Sequence, residues 1–166
     1  MADFYILLDI GEKFVNRFVI MKKLIISCLV LATSSLEAQA YCFKEAGARY
    51  NIPSGLLAAI AQTESSMDSR AISHTDDIGL MQINNSWVPI LQSRFGISKA
   101  QLWDPCTNVM VGAWILANEF RSKGRNWNAI GAYNARCSRL KGINCAIARQ
   151  RYSMKVWNNW KRQNSI

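Results

Sequence analysis

Four cysteines after residue 40 restrict how this chain folds, because each disulfide would fix one part of the chain against another. Four cysteines allow three connectivities. Cys137 and Cys145 flank a short loop that contains Gly142, which favours a local bridge and leaves Cys42 to pair with Cys106. The alternative is a zinc site, but the chain has one histidine and no Cys-x-x-Cys pair. We therefore expect two disulfides, Cys42–Cys106 and Cys137–Cys145, and neither a metal nor a cofactor.

Disulfides form in oxidising compartments, and the N-terminal segment predicts export to one. Residues 21–23 (Met-Lys-Lys) are a short positive region, residues 24–32 are apolar, and residues 33–40 are small and polar, ending in Ala-Gln-Ala. This is the pattern of a secretory signal peptide with cleavage after Ala40. The apolar run is too short to span a bilayer, so we expect no membrane anchor. We interpret residues 1–20 as an upstream extension that results from a mis-set start codon.

The predicted mature domain, residues 41–166, is long enough for one small hydrophobic core and shows no internal repeat. The chain has 20 Lys and Arg against 11 Asp and Glu, a net charge of +9. Such a charge favours polyanionic partners, and export makes a cell-wall polymer the first of them. Nucleic acid is not expected, because no aromatic and basic residues alternate on a recognisable strand motif.

Hydrophobic periodicity predicts a mainly α domain with short loops. Thr107 is expected to cap a long helix, whose residues 109, 113, 116 and 120 share one apolar face. In the last helix, the residues expected in register are 147, 151, 154 and 157. Residues 73–83 leave room for a minimal β-hairpin. The predicted helices cover residues 42–50, 53–65, 85–91, 107–123, 127–135 and 144–160.

Glu64 lies within the apolar face of the helix that Pro53 opens. At about 100° per residue, Leu56, Ile60 and Glu64 fall within about 80° of one another. Apolar surroundings and the negative end of the helix dipole both raise the pKa of a carboxyl group. Glu64 would then hold its proton near neutral pH and act as a general acid. A structural salt bridge with Arg70 is the alternative, and the helix geometry alone leaves both open.

Four motifs stand in the order and spacing of a known enzyme family: Glu64-Ser65, Ala71-x-Ser73, Gly79-Leu80-Met81-Gln82-Ile83 and Ala132-Tyr133-Asn134. The chain resembles the SLT-like lytic transglycosylases of the lysozyme superfold. Its size, export and cysteines resemble those of the small secreted members that serve type III and type IV secretion, conjugation and pilus systems.

The resemblance implies a single mainly α, lysozyme-like domain with a cleft, a minimal hairpin and two disulfides. It implies a monomeric periplasmic enzyme that cleaves the MurNAc–GlcNAc β-1,4 bond of peptidoglycan. Glu64 would protonate the glycosidic oxygen and then, as a base, help to close a 1,6-anhydro ring. The cut would open the wall locally for a secretion or conjugation apparatus.

The resemblance also implies roles for five other residues. Ser73 would lie near the N-acetyl group, Gln82 would hydrogen-bond the sugar and Met81 would line the cleft. Tyr133 would orient Glu64 or the scissile sugar, with Asn134 beside it. Ordinary core packing is the alternative for Met81 and Tyr133.

Asp77 leaves a second reaction open, because residues 75–87 also resemble the c-type lysozyme segment that carries the second catalytic carboxylate. Asp77 would then be the nucleophile or charge stabiliser of a muramidase that hydrolyses the bond. A third interpretation is that Asp76 and Asp77 only cap a turn. The downstream Ala-Tyr-Asn motif and the absence of the lysozyme cysteine pattern favour the transglycosylase. We expect Asp77 to have a structural or tuning role first and a nucleophilic one second.

A non-catalytic module that binds peptidoglycan in a basic cleft is the alternative from another class of protein. Glu64 argues against it, since binding alone does not require a carboxyl group on an apolar helix face.

Overall fold

The computed structural model describes residues 41–138 and 140–163. The predicted upstream extension and signal peptide, residues 1–40, lie outside the described residues. Within the described ranges the architecture is almost entirely helical. The α-helices are α1 (Phe43–Tyr50), α2 (Ser54–Ser65), α3 (Val88–Phe95), α4 (Pro105–Lys123), α5 (Trp127–Asn134) and α6 (Gly142–Gln163), with 3₁₀ turns at Asn85–Trp87 and Ala100–Trp103.

The predicted apolar face of α4 lies in the core of the domain. α4 contacts α1 and α5, and α6 contacts α2 and α5. Val109, Ala113, Leu116 and Phe120 are all buried, which confirms the predicted face. This packing brings the C-terminal end of α2 against the middle of α6, and the site described below is built at that contact.

The start of α4 differs from the prediction. The helix begins at Pro105, and the carboxylate of Asp104 caps it by accepting a 2.7 Å hydrogen bond from the backbone N–H of Thr107. Proline has no N–H to lose and a φ angle already suited to the first helical position, so the helix begins before Thr107 rather than after it. The predicted end is confirmed at Lys123, with Gly124 following.

The buried face of α6 is not the one predicted. Ile147, Met154 and Trp157 are 37%, 53% and 41% exposed, whereas Tyr152 and Val156 are buried. Trp157 instead contacts Trp127 and Trp160 through edge-to-face ring contacts at the surface. Apolar residues therefore occupy both sides of this helix, and the hydrophobic periodicity wrongly predicted that the exposed side is buried.

The two disulfides have the pairing expected from the sequence. Cys42–Cys106 joins the residue before α1 to the first turn of α4. Cys137–Cys145 closes the loop between α5 and α6. The predicted hairpin in residues 73–83 is reduced to two isolated antiparallel bridges, Ile72 with Ile78 and Ile78 with Ile83.

Candidate active site

Glu64 lies in the last turn of α2, which ends when Ser66 adopts a left-handed conformation with φ 55°. The residue is partly exposed, while Leu57, Ile60 and Ala61 on the same helix are fully buried. Its carboxyl group is therefore at the edge of the core, where one side meets apolar packing and the other meets a cleft.

The partner of Glu64 is a tyrosine that the sequence did not single out. The hydroxyl group of Tyr152 in α6 donates a 2.6 Å hydrogen bond to Glu64 Oε1. The side chain of Asn134, in the last turn of α5, also stabilises the ionised form of Glu64 and so lowers its pKa. These two side chains take the place of the salt bridge with Arg70, which is exposed and does not contribute to the electrostatic surroundings of Glu64.

Burial raises the pKa of Glu64 to about 7, well above the usual 4.5. The hydrogen bond from Tyr152 opposes this rise, because it stabilises the carboxylate, and the negative charge of Asp77 adds to it. Burial and the charge of Glu64 also raise the pKa of Tyr152 and of Tyr133, so both phenols stay protonated and remain donors. Glu64 thus exchanges a proton near neutral pH beside groups that do not.

The cleft beside Glu64 has a volume of about 650 Å³. One wall comes from the loop that follows α2 and the other from α5 and the loop that follows it. Polar groups converge on the open space between apolar walls, which is typical of a small-molecule or glycan site. The polar lining residues used below are Glu64, Asp77, Gln82, Asn84, Asn134 and Arg136.

Tyr133 and Met81 form one structural unit at the base of the cleft. The Tyr133 hydroxyl donates a 2.8 Å hydrogen bond to the backbone carbonyl of Met81, and Tyr133 lines the cleft. The side chain of Met81 is fully buried and packs so closely on Gly112 that a Cβ atom there would lie 2.7 Å from the Met81 methyl carbon. The structure therefore places Met81 in the core, where packing was the alternative, and not on the cleft surface. The residue bonded to Glu64 is Tyr152 rather than Tyr133.

Gln82 lines the cleft in a left-handed backbone conformation with φ 47°. Its side-chain N–H groups donate to the carbonyls of Gly79 and Ala71, at 2.9 and 3.3 Å. The amide is thereby fixed in orientation, and its carbonyl oxygen is the group left for a sugar hydroxyl. Asn134 lies at the exposed lip of the same cleft.

Asp77 lines the cleft, but its carboxylate is held by its own loop. It accepts hydrogen bonds from Ser73 Oγ at 2.7 Å, Thr75 Oγ1 at 2.6 Å and Asn84 Nδ2 at 2.5 Å. Ser73, expected near the N-acetyl group of the substrate, is instead a member of this network and does not line the cleft. The Asp77 carboxylate thus bonds side chains of its loop, while Ser73 Oγ accepts from the backbone N–H groups of the turn, and the charge of Asp77 also acts on Glu64.

Asn108 supports the cleft from beneath, and sequence reasoning missed it. It is 1% exposed; its Oδ1 accepts from Met81 N at 2.8 Å, and its Nδ2 donates to the carbonyls of Ile78 and Leu102 at 2.8 and 2.9 Å. Gly79, with φ 74°, approaches so closely that a Cβ atom would lie 2.6 Å from Asn108 Nδ2. An asparagine inside an otherwise apolar helix face was the available signal, since a buried amide needs partners.

A glutamate whose pKa is raised to about 7 in an open cleft is the type of group that glycosidic-bond-cleaving sites use as a general acid. The comparisons with known proteins specify that class. Residues 41–145 match the Transglycosylase SLT domain family, and the chain belongs to it. The predicted enzyme, a peptidoglycan lytic transglycosylase, is thereby confirmed as a class.

Two relatives resemble the chain over most of its length. Invasion protein IagB of Salmonella typhimurium (strain SL1344) is 43% identical over 130 residues, which cover 75% of this chain and 78% of that protein. A peptidoglycan-binding-like protein of Escherichia coli O157:H7 is 32% identical over 149 residues, 82% of this chain and 86% of that protein.

A solved structure confirms the lysozyme-like fold. An inactive mutant of the lytic transglycosylase Slt from Pseudomonas aeruginosa superposes with a TM-score of 0.59 at 22% identity. The similarity covers 75% of this chain but 23% of that larger one. Among the residues described, no helix is both long and apolar enough to cross a membrane. Activity on peptidoglycan implies an extracytoplasmic location.

Proposed function

We propose that this enzyme cleaves the MurNAc–GlcNAc β-1,4 bond with Glu64 acting twice, first as an acid and then as a base. Protonated Glu64 gives its proton to the glycosidic oxygen while the bond to the anomeric carbon breaks. The N-acetyl carbonyl of the MurNAc stabilises that carbon. Glu64 then takes the proton of the C6 hydroxyl, and O6 bonds to the anomeric carbon. The products are a GlcNAc hydroxyl and a 1,6-anhydro ring, and no water is consumed.

The observation that carries this proposal is the pKa of Glu64, about 7, in a cleft that a glycan strand fits. A group that must donate one proton and then accept another works best when neither form is strongly favoured. Tyr152 serves the first half of the cycle, because its hydrogen bond stabilises the carboxylate that forms when Glu64 gives up its proton.

We assign the remaining polar groups to substrate binding and support. The fixed carbonyl of Gln82 accepts a sugar hydroxyl, and Asn134 bonds both Glu64 and the sugar beside it. Tyr133 holds the backbone of Met81 and so sets the base of the cleft. Asp77, bonded within its loop, tunes the charge on Glu64 rather than attacking the anomeric carbon.

We further propose that the enzyme is exported across the inner membrane to the periplasm and opens the wall for a secretion, conjugation or pilus apparatus. The signal-peptide pattern in residues 21–40 supports the route. The similarity to a protein named for invasion supports a role with such an apparatus.

The deciding experiment is digestion of purified peptidoglycan followed by mass spectrometry of the released muropeptides. The proposal expects 1,6-anhydro ends, and reducing ends would make the enzyme a muramidase instead. Glu64→Gln should abolish cleavage in either case. Asp77→Asn should retain most activity in a transglycosylase and lose it in a muramidase. Sedimentation with cell-wall sacculi without any cleavage would indicate a binding module.

A further inference from the structure

Arg136 and Trp87 form a stacked pair at the side of the cleft that no step above uses. The guanidinium carbon of Arg136 lies 3.8 Å from the centre of the Trp87 ring, and both residues line the cleft. Arg136 follows the Ala-Tyr-Asn motif, so the motif that carries Asn134 also delivers this cation. Among the described residues that line the cleft, Arg136 is the one with a positive charge.

The stacking leaves the hydrogen-bonding capacity of Arg136 unused. Contact with an aromatic ring occupies the face of the guanidinium, whereas its N–H donors lie in the plane and point away from the ring. Within residues 41–138 and 140–163, no side-chain or backbone acceptor bonds to these donors. Glu119, whose negative charge acts on Arg136, is itself paired with Lys123 at 2.7 Å. The guanidinium group of Arg136 thus offers N–H donors to the cleft and has no anionic partner among the described residues.

The surroundings of Arg136 suit a peptide that carries a carboxylate. The described residues of the loop from Cys137 to Cys145 include one further basic residue, Lys141, and no acidic one. Leu140 in this loop is 45% exposed and lines the cleft beside Ser138. The disulfide Cys137–Cys145 closes the loop directly after Arg136 and limits the positions that it can adopt.

The opposite wall carries the acidic groups Glu64 and Asp77. A substrate that brought carboxylates into this cleft would therefore be repelled on one side and bound on the other. A carboxylate on the substrate is therefore favoured beside Arg136 and disfavoured beside Asp77, since opposite charges attract and like charges repel across a partly desolvated cleft.

We propose that Arg136, stacked on Trp87, binds a carboxylate of the peptide that the muramyl residue carries, so that the enzyme prefers peptide-bearing glycan strands to denuded ones. This inference rests on the proposed function, because it takes peptidoglycan as the substrate of the same cleft. It adds a specificity-determining residue outside the group that transfers the proton.

Two carboxylates of peptidoglycan have the chemistry that Arg136 recognises. One belongs to the peptide, and the other is the lactyl carboxylate that becomes free when an amidase removes the peptide. A chito-oligosaccharide has neither. Comparing the three ligands separates the two sources of carboxylate. The basic loop between α5 and α6, with its exposed Leu140, favours the peptide.

The test measures binding in the Glu64→Gln background, so that cleavage does not consume the ligand. Fragments of peptide-bearing strands, amidase-treated strands and chito-oligosaccharide are titrated by calorimetry, with intrinsic tryptophan fluorescence as a second signal. Arg136→Gln should weaken binding of peptide-bearing strands about tenfold, the usual effect of one charge-assisted hydrogen-bonded pair. Binding of the other two ligands should change less than about twofold. Arg136→Lys, which keeps the charge but not the planar fork, should recover part of the loss.

Arg125→Gln is the matched control. Arg125 also lies over an aromatic ring, that of Phe120 at 5.3 Å, but outside the cleft, so its variant should bind all three ligands like the parent. Equal weakening on peptide-bearing and denuded strands would overturn the assignment to the peptide, and so would no weakening on either. If the native enzyme releases no anhydro ends but Arg136→Gln still binds peptide-bearing strands more weakly, the proposed reaction would be wrong and the role of Arg136 would stand.

Discussion

The hydroxyl group of Tyr152 in α6 donates a 2.6 Å hydrogen bond to Oε1 of Glu64 in α2, although the two residues are 88 positions apart in the sequence. The bond works against burial. Burial favours the neutral carboxyl group, and a donated hydrogen bond favours the ionised one. The pKa of Glu64, about 7, is the result of this opposition. The contact between α2 and α6 therefore sets a chemical property as well as a packing distance.

Tyr152→Phe tests that opposition. Without the donated hydrogen bond the pKa of Glu64 should rise further, because only the weaker effects of Asn134 and Lys155 then oppose desolvation and the charge of Asp77. In the native enzyme kcat/KM should fall above about pH 7, where the acid has lost its proton. In the variant this fall in kcat/KM should begin at higher pH. Its kcat at pH 7 should drop about tenfold, because the carboxylate that forms when Glu64 gives up its proton is less stable.

A pH–rate profile of each enzyme on purified peptidoglycan measures the effect. Tyr133→Phe is the matched control, since Tyr133 bonds to the carbonyl of Met81 and not to Glu64. Its profile should keep the native pH dependence even if its rate is lower. A Tyr152→Phe profile that coincides with the native one would show that the bond does not affect the titration of Glu64.

Glu64→Gln should change how stability depends on pH. The folded protein holds the Glu64 proton between about pH 4.5 and 7, where the unfolded chain has released it. This raised pKa contributes stability that is complete below about 4.5 and is lost as the pH rises through 7. The glutamine variant has no such dependence, so it should gain about 1–2 kcal/mol on the native protein between pH 5 and pH 8, because cleft water screens part of the full effect.

Urea unfolding at the two pH values gives the comparison. Glu45→Gln, at an exposed position of α1, controls for the substitution itself. A stability difference between Glu64→Gln and the native protein that stays constant from pH 5 to pH 8 would contradict a raised pKa in the folded state.

The sequence contained enough information to find Glu64 but not its partner. A carboxyl group on an apolar helix face is a local anomaly, and 3.6-residue periodicity detects it. Tyr152 is no anomaly, because α6 has apolar residues on two sides and its outer side carries Ile147, Met154 and Trp157. Which side faces α2 depends on the packing of three helices, and that information is not local. Tyr152 and Val156, at i and i+4, were the only hint.

The loop after α2 shows a second limit. The sequence motif predicts which residues occur in this loop. Some of their side chains do not have the predicted positions, because the loop packs on Asn108. Met81 turned into the core against Gly112, and Ser73 turned to the carboxylate of Asp77. A motif gives the residue types of a loop, whereas side-chain directions follow from the hydrogen-bond network beneath it.

Asn108→Ala should destabilise the fold strongly. The change removes the acceptor for Met81 N and the donor for the carbonyls of Ile78 and Leu102, in a site with no access for water. Buried groups that lose their partners cost about 1–3 kcal/mol each, and we expect a total of about 3–5 kcal/mol. Chemical denaturation measures this loss. Asn118→Ala, a less buried position of the same helix, should cost less than about 1 kcal/mol, and a similarly small loss for Asn108→Ala would show that the network does not support the loop.

The two disulfides should contribute unequally to stability and differently to function. Cys42–Cys106 closes a segment with a sequence separation of 64, and Cys137–Cys145 one with a separation of 8. Loop-closure entropy predicts about 4 kcal/mol for the first and about 2.5 kcal/mol for the second, since the longer loop gains more freedom when the unfolded chain is released. Thermal unfolding of the two double Cys→Ser variants should therefore show the larger loss of Tm for Cys42 and Cys106.

The Cys137/Cys145 variant should also bind peptide-bearing strands more weakly, because the loop next to Arg136 is then less restricted. A Cys137/Cys145 variant that binds these strands as tightly as the native protein would separate the disulfide from the binding of the peptide, and a larger loss of Tm for this pair would contradict the entropic account.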